Sequence, residues 1–254
     1  MQRPLHGRPP RTCQLIAVWE HGPRMNQRYY LFRLLGFPVY LEASFFILAA
    51  LYLIIGGLSP SALLGTAVFV AAAAASILWH ELGHALMARR LGSQGIAIVL
   101  HGAGGMTLHK PPPSLRRALL VSAAGPGLGL MLGLLLLAAA LLARAAGLYA
   151  PLLLARFLED LIYINIVWSL FNLLPMLPLD GGNILQNLLL LRLPGRRAME
   201  ISLATSFLLA VALGLLALWH RWVFVTLICL FSAQHTYQQM GGFGPLARLW
   251  RGRS

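Results

Sequence analysis

Six apolar stretches of roughly twenty residues each leave this chain few ways to fold. They fall at about 39–58, 62–91, 115–143, 152–174, 199–219 and 222–240. A hydrocarbon layer about 30 Å thick takes about twenty apolar residues of helix to cross. Inside it every backbone polar group must pair within the protein, so only helices and closed barrels span it. The expected fold class is therefore an all-α polytopic membrane protein with about six transmembrane helices. Charged residues make up 11% of the 254 and hydrophobic ones 58%, against about 25% charged in a soluble domain. A soluble domain with a large core is excluded.

The net charge of +13 would suit nucleic acid, but the basic residues flank the apolar stretches. With an N-terminus in the cytoplasm, seventeen of the twenty Arg and Lys fall on the cytoplasmic side. Only Arg144, Arg156 and Arg221 fall opposite. Cytoplasmic loops carry such an excess, so both termini are expected inside. An odd span count would scramble this sorting. The Arg, Ala, Leu and Gly bias suggests a bacterial source and hence an inner (cytoplasmic) membrane. Three regions follow: a tail over 1–35, a membrane domain over 36–240 and a basic tail over 241–254. Residues 1–24 are Pro/Arg-rich and resemble no cleaved signal peptide. Met25 looks like a natural start, so the segment before it is expected to be a disordered tail or a start-site artefact. Cys13 and Cys229 form no disulfide framework and are expected to be inert thiols.

Within the second stretch stands His80-Glu81-Leu82-Gly83-His84. On a helix the two histidines are one turn apart and project from one face. That spacing binds one Zn²⁺, with the intervening Glu81 as general base toward the water the metal activates. Ionisable side chains in hydrocarbon are costly and default to a functional reading.

A catalytic zinc usually keeps three protein ligands and one open position. Of the seven acidic residues, Glu20, Glu159, Asp160 and Glu200 lie in tails or near span ends. Asp180 and Glu42 remain as candidates. Asp180 follows Asn172-Leu173-Leu174-Pro175-Met176-Leu177-Pro178-Leu179, and Gly181-Gly182 follow it. The prolines and glycines break the helix, and freed backbone at membrane depth needs a protein-lined site. The topology brings Asp180 to a depth similar to that of His80 and His84. Glu42 opens the first span and is better read as an interfacial carboxylate. Residues 95–108 combine β-branched residues with a Gly-rich turn and predict a membrane-associated β-hairpin between spans two and three. Its edge could pair with an extended peptide; a plain re-entrant connection is the alternative.

The H-E-L-G-H, Gly125-Pro126-Gly127 and the Asn172 to Gly182 segment, in this order, resemble the site-2 protease family of intramembrane zinc metalloproteases. The resemblance covers roughly residues 36–240. It implies one Zn²⁺ per chain held by His80, His84 and Asp180, Glu81 as general base, and a hairpin that presents substrate as an added strand. It also implies that Asn172 steadies the scissile peptide or its oxyanion. Asn165, on the same helical face, either shares that role or makes an interhelical hydrogen bond. Gly125-Pro126-Gly127 serves helix packing or supports the zinc-bearing helix. Many members carry a PDZ domain or paired CBS domains, and no segment of this sequence outside the expected spans is long enough for either. The implied partners are the lipid bilayer and single-pass transmembrane substrates, such as an anti-sigma factor, a tethered transcription factor or a signal-peptide remnant. Two other classes remain open, a zinc transporter and a catalytically silent relative that binds membrane proteins. A zinc-dependent lipid amidase would share the ligands but need no hairpin. His101, in the hairpin, is a cavity-mouth residue or a pH-sensitive group. His109, His220 and His235 look interfacial.

Overall fold

The computed structural model describes residues 28–57, 59–102 and 104–241. The expected spans 62–91, 115–143, 152–174, 199–219 and 222–240 appear as helices α2 (Pro60–Arg90), α3 (Leu115–Ala145), α4 (Leu152–Asn172), α6 (Gly195–Trp219) and α7 (Val223–Gly241). Among the described residues, α2, α3 and α6 are long and apolar enough to cross a membrane by length and composition. At 31 residues, α2 is about 46 Å long, more than a hydrocarbon layer needs. Ser59 caps it by accepting from the Ala62 amide, with Pro60 in the first turn, where a missing N–H costs nothing. Leucines such as Leu134, Leu141 and Leu142 on α3 and Leu208 and Leu215 on α6 stand exposed, as a lipid-facing surface requires.

The first span differs from expectation. Residues Phe37–Glu42 are strand β2, and only the twelve residues Phe45–Gly56 form helix α1. Apolar content is the same for a buried strand and a span, so composition could not separate them. β2 pairs antiparallel with β1 (Arg28–Leu34), which the sequence reading placed in the tail. The hairpin turn uses Leu35 and Gly36, both at positive φ, the backbone a two-residue hairpin turn demands. The expected hairpin is present as β3 (Ala97–His101) and β4 (Gly104–Leu108). β3 runs parallel to β2, and α1 and α2 form the crossover between them. The result is one sheet in the order β1-β2-β3-β4. Residues 1–24 and nearly all of the 241–254 tail lie outside the described residues.

Two apolar clusters fix the frame. Phe37, Val39, Ile98 and Leu100 of the sheet pack on Ile77, Leu82 and Ala85 of α2, so the sheet rests on the turns that carry the H-E-L-G-H. After α4 the chain breaks, then resumes as α5 (Asp180–Leu190). Met176, within the break, is buried with Ala210 of α6 and Cys229 of α7. Helices α2 and α3 approach closely: a Cβ on Gly83 would lie 2.5 Å from the Ala124 carbonyl oxygen. The Trp79 indole N–H donates to the Leu128 carbonyl of α3 at 3.1 Å.

Candidate active site

His80 and His84 project from one face of α2, as their spacing requires, and both are buried. Asp180, from the first turn of α5, completes the cluster. Its Oδ2 lies 3.0 Å from His80 Nε2 and 3.3 Å from His84 Nε2, and the two Nε2 atoms are 3.2 Å apart. Donor atoms about 2.0–2.1 Å from a tetrahedral zinc stand about 3.3 Å from each other. Two imidazoles and a carboxylate at this mutual spacing therefore fit that ion. His84 Nδ1 donates to the Val121 carbonyl at 2.7 Å. A carbonyl only accepts, so Nδ1 carries the proton and Nε2 keeps its lone pair toward the cluster. His80 Nδ1 is buried without a hydrogen-bond partner among the described residues.

Glu81 lies beside this cluster, with a carboxylate oxygen within 4.8 Å of the ligating atoms of both histidines. His80, Glu81 and His84 alone would also make a three-group metal cluster. Asp180 Oδ2 meets both imidazole nitrogens, whereas Glu81 Oε2 accepts from the Thr107 hydroxyl at 2.7 Å. That hydroxyl is also 3.0 Å from the Glu81 carbonyl oxygen. Gly105 closes over the same carboxylate, since a Cβ there would lie 2.4 Å from Glu81 Cγ. Strand β4 thus covers Glu81 and leaves its own outer edge open among the described residues.

The glycines explain how helices from distant parts of the chain converge. A Cβ on Gly125 would lie 2.2 Å from His84 Nε2, so α3 touches the imidazole ring, while one on Gly127 would meet nothing within 4 Å. A Cβ on Gly181 would lie 2.2 Å from the Leu173 carbonyl oxygen, so the end of α4 abuts the start of α5. Asn172, the last residue of α4, is buried, and its side chain has no hydrogen-bond partner among the described residues. Asn165 gives its amide protons to Ser76 Oγ at 2.8 Å and to the Leu161 carbonyl at 2.9 Å. It makes the interhelical bond and has no proton left for a substrate.

Glu42 is a β2 residue that accepts from Ser44 Oγ at 3.2 Å and stands outside the cluster. His101 ends β3. His109 is half-buried and its Nδ1 donates to the Lys110 carbonyl at 2.8 Å, His220 stacks on Trp222, and His235 pairs with Gln239. Thr107, Ser76 and the Val121 carbonyl are site features that the sequence reading missed. Thr107 lay within the recognised hairpin, but nothing in its spacing pointed at Glu81.

Known proteins resemble this chain in sequence and in fold. Residues 143–213 match the family model of Peptidase family M50. Over 189 residues the chain is 32% identical to a putative zinc metalloprotease, sll0528, of Synechocystis, covering 68% of this chain and 47% of that one. Over 207 residues it is 28% identical to the zinc metalloprotease MJ0392 of Methanocaldococcus jannaschii, covering 82% and 59%. The solved site-2 protease from Methanocaldococcus jannaschii superposes with a TM-score of 0.62 at 24% identity, over 83% of this chain and 94% of that chain, which establishes the shared fold. The chain belongs to the M50, or site-2 protease, family. It spans 47% of the length of the Synechocystis relative and 59% of that of MJ0392.

Proposed function

We propose that this protein is a zinc-dependent intramembrane endopeptidase that hydrolyses a peptide bond in or near the transmembrane segment of single-pass membrane proteins. The observation that carries the reading is the meeting of His80, His84 and Asp180 beside a carboxylate, Glu81, held at a strand with an open edge. His80, His84 and Asp180 would hold one zinc ion, which when bound supplies Lewis acidity to water and to the scissile carbonyl. Glu81 is the general base and passes the proton on to the leaving amine. A helical substrate hides its carbonyls and must unwind; the edge of β4 can hold the extended form by backbone pairing. Asn172, with a free carboxamide at the α4–α5 junction, is suited to donate to the peptide or its oxyanion. The arginine distribution supports a cytoplasmic-membrane protein with both termini inside, and hence entry of water from the cytoplasmic face.

A silent relative or a transporter would share the ligands but not need a carboxylate poised between them and an open strand edge. The deciding experiment incubates purified protein in liposomes with a panel of single-span substrates and measures zinc content in parallel. Wild type should cut, Glu81→Gln should keep zinc without cutting, and Asp180→Ala should lose zinc. Zinc binding without any cleavage, unaltered by Glu81→Gln, would overturn the enzyme reading.

A further inference from the structure

We propose that Ser206 of α6 and Ser232 of α7 are positioning residues that hold Asp180 in place by gripping both backbone polar groups of one residue, Leu177, in the α4–α5 break. The proposal rests on the reading of Asp180 as a zinc ligand. Leu177 lies three residues before Asp180, in the unwound stretch. Its N–H donates to Ser206 Oγ at 3.1 Å, and its carbonyl accepts from the Ser232 hydroxyl. The Ser206 hydroxyl in turn donates its one proton to the Ser202 carbonyl at 2.7 Å, which leaves its lone pairs to accept from Leu177. Both serines are 0% exposed and Leu177 is buried.

Neighbouring peptides of the break pair locally, Met176 N–H with Leu174 and Leu179 N–H with Met176. The N–H and C=O of Leu177 have no such local partner, and left bare at membrane depth they would cost several kcal/mol each. Two hydroxyls from two different helices supply what is missing. The grip reaches Asp180 through contact as well as through the chain. A Cβ on Gly182 would lie 2.5 Å from Leu177 N, so the first turn of α5 is packed on the gripped backbone. The position of the third ligand is thereby set by α6 and α7, neither of which carries a ligand itself. Metal-site partners beyond the ligands typically tune affinity by about 10–100-fold.

Matched controls lie one turn away. Ser202 on α6 and Thr236 on α7 are equally buried, but their hydroxyls have no partner among the described residues. The test measures zinc affinity by competition with a chelator, and zinc release rate, on the full chain in detergent. Ser206→Ala and Ser232→Ala should each weaken zinc binding roughly tenfold, toward the low end of that range. Ser202→Ala and Thr236→Val should stay within about twofold of wild type. Using one serine from each helix keeps the test decisive if either variant fails to fold. Asp180→Ala losing zinc while both grip variants bind like wild type would overturn the proposal and leave the zinc reading intact. Equal losses in the grip and control variants would overturn it too, as general loosening of the bundle. Wild-type zinc affinity in Asp180→Ala would instead overturn the zinc reading on which the proposal stands.

Discussion

Replacing Gly125 by alanine should weaken zinc binding without altering the identity of any proposed ligand. The new Cβ would stand 2.2 Å from His84 Nε2, 2.6 Å from Cε1 and 2.7 Å from Cδ2. Ordinary carbon contacts need about 3.5 Å, so the ring must retreat by about 1.2 Å or more. It cannot swing freely, because Nδ1 is tied to the Val121 carbonyl at 2.7 Å. Overpacking a buried position costs about 1–3 kcal/mol, and giving up the Val121 bond about 1 kcal/mol more. Returning Nε2 to its place near His80 and Asp180 then opposes about 2–4 kcal/mol. At tenfold per 1.4 kcal/mol, zinc affinity should fall on the order of a hundredfold. Gly127→Ala is the control from the same three-residue motif. Nothing lies within 4 Å of its Cβ, and alanine gains about 0.5–1 kcal/mol over glycine in a helix interior. Zinc titration against a chelator, with thermal unfolding of both variants, decides the matter. Gly125→Ala binding zinc within threefold of wild type while still folded would refute the claim that α3 braces the His84 ring.

Thr107→Val removes the hydroxyl that donates to Glu81 while keeping the shape. The turnover number should drop about tenfold with zinc content unchanged, since general-base efficiency depends on a positioned carboxylate; an unaltered turnover would detach β4 from the base. Asn165→Ala should cost about 0.6–1.7 kcal/mol of stability, the range for interhelical hydrogen bonds in membranes. Cleavage by the folded fraction should stay near wild type, and a larger loss in turnover would return Asn165 to the reaction. Asn172→Ala should leave zinc affinity and stability nearly unchanged and lower turnover by about a hundredfold, the usual effect of losing one oxyanion donor.

The helices were legible because hydrocarbon demands about twenty apolar residues wherever the chain crosses it. The α4–α5 break was legible because Pro175 and Pro178 cannot continue a helix and Gly181 and Gly182 weaken one. Strands β1 and β2 were not read. Their Tyr, Phe, Leu and Val content served equally well for a span or a tail-to-span junction, and only pairing with β3 decides them. The Leu35-Gly36 turn between aromatic runs was the one local signal available.

The sequence by itself determined the chemistry: two imidazoles one helical turn apart, the carboxylate between them, and a single aspartate in a broken helix. Those facts are local, fixed by a period of 3.6 residues and by proline. The tertiary structure decided what they make together. His80 and Asp180 are a hundred positions apart, and their 3.0 Å approach depends on Gly125 and Gly181 letting helices close to contact. The Val121 carbonyl and the Leu177 N–H and C=O are backbone groups of kinds that recur all along the chain. No sequence pattern marks which of them will orient a histidine or anchor a ligand loop; only packing selects them.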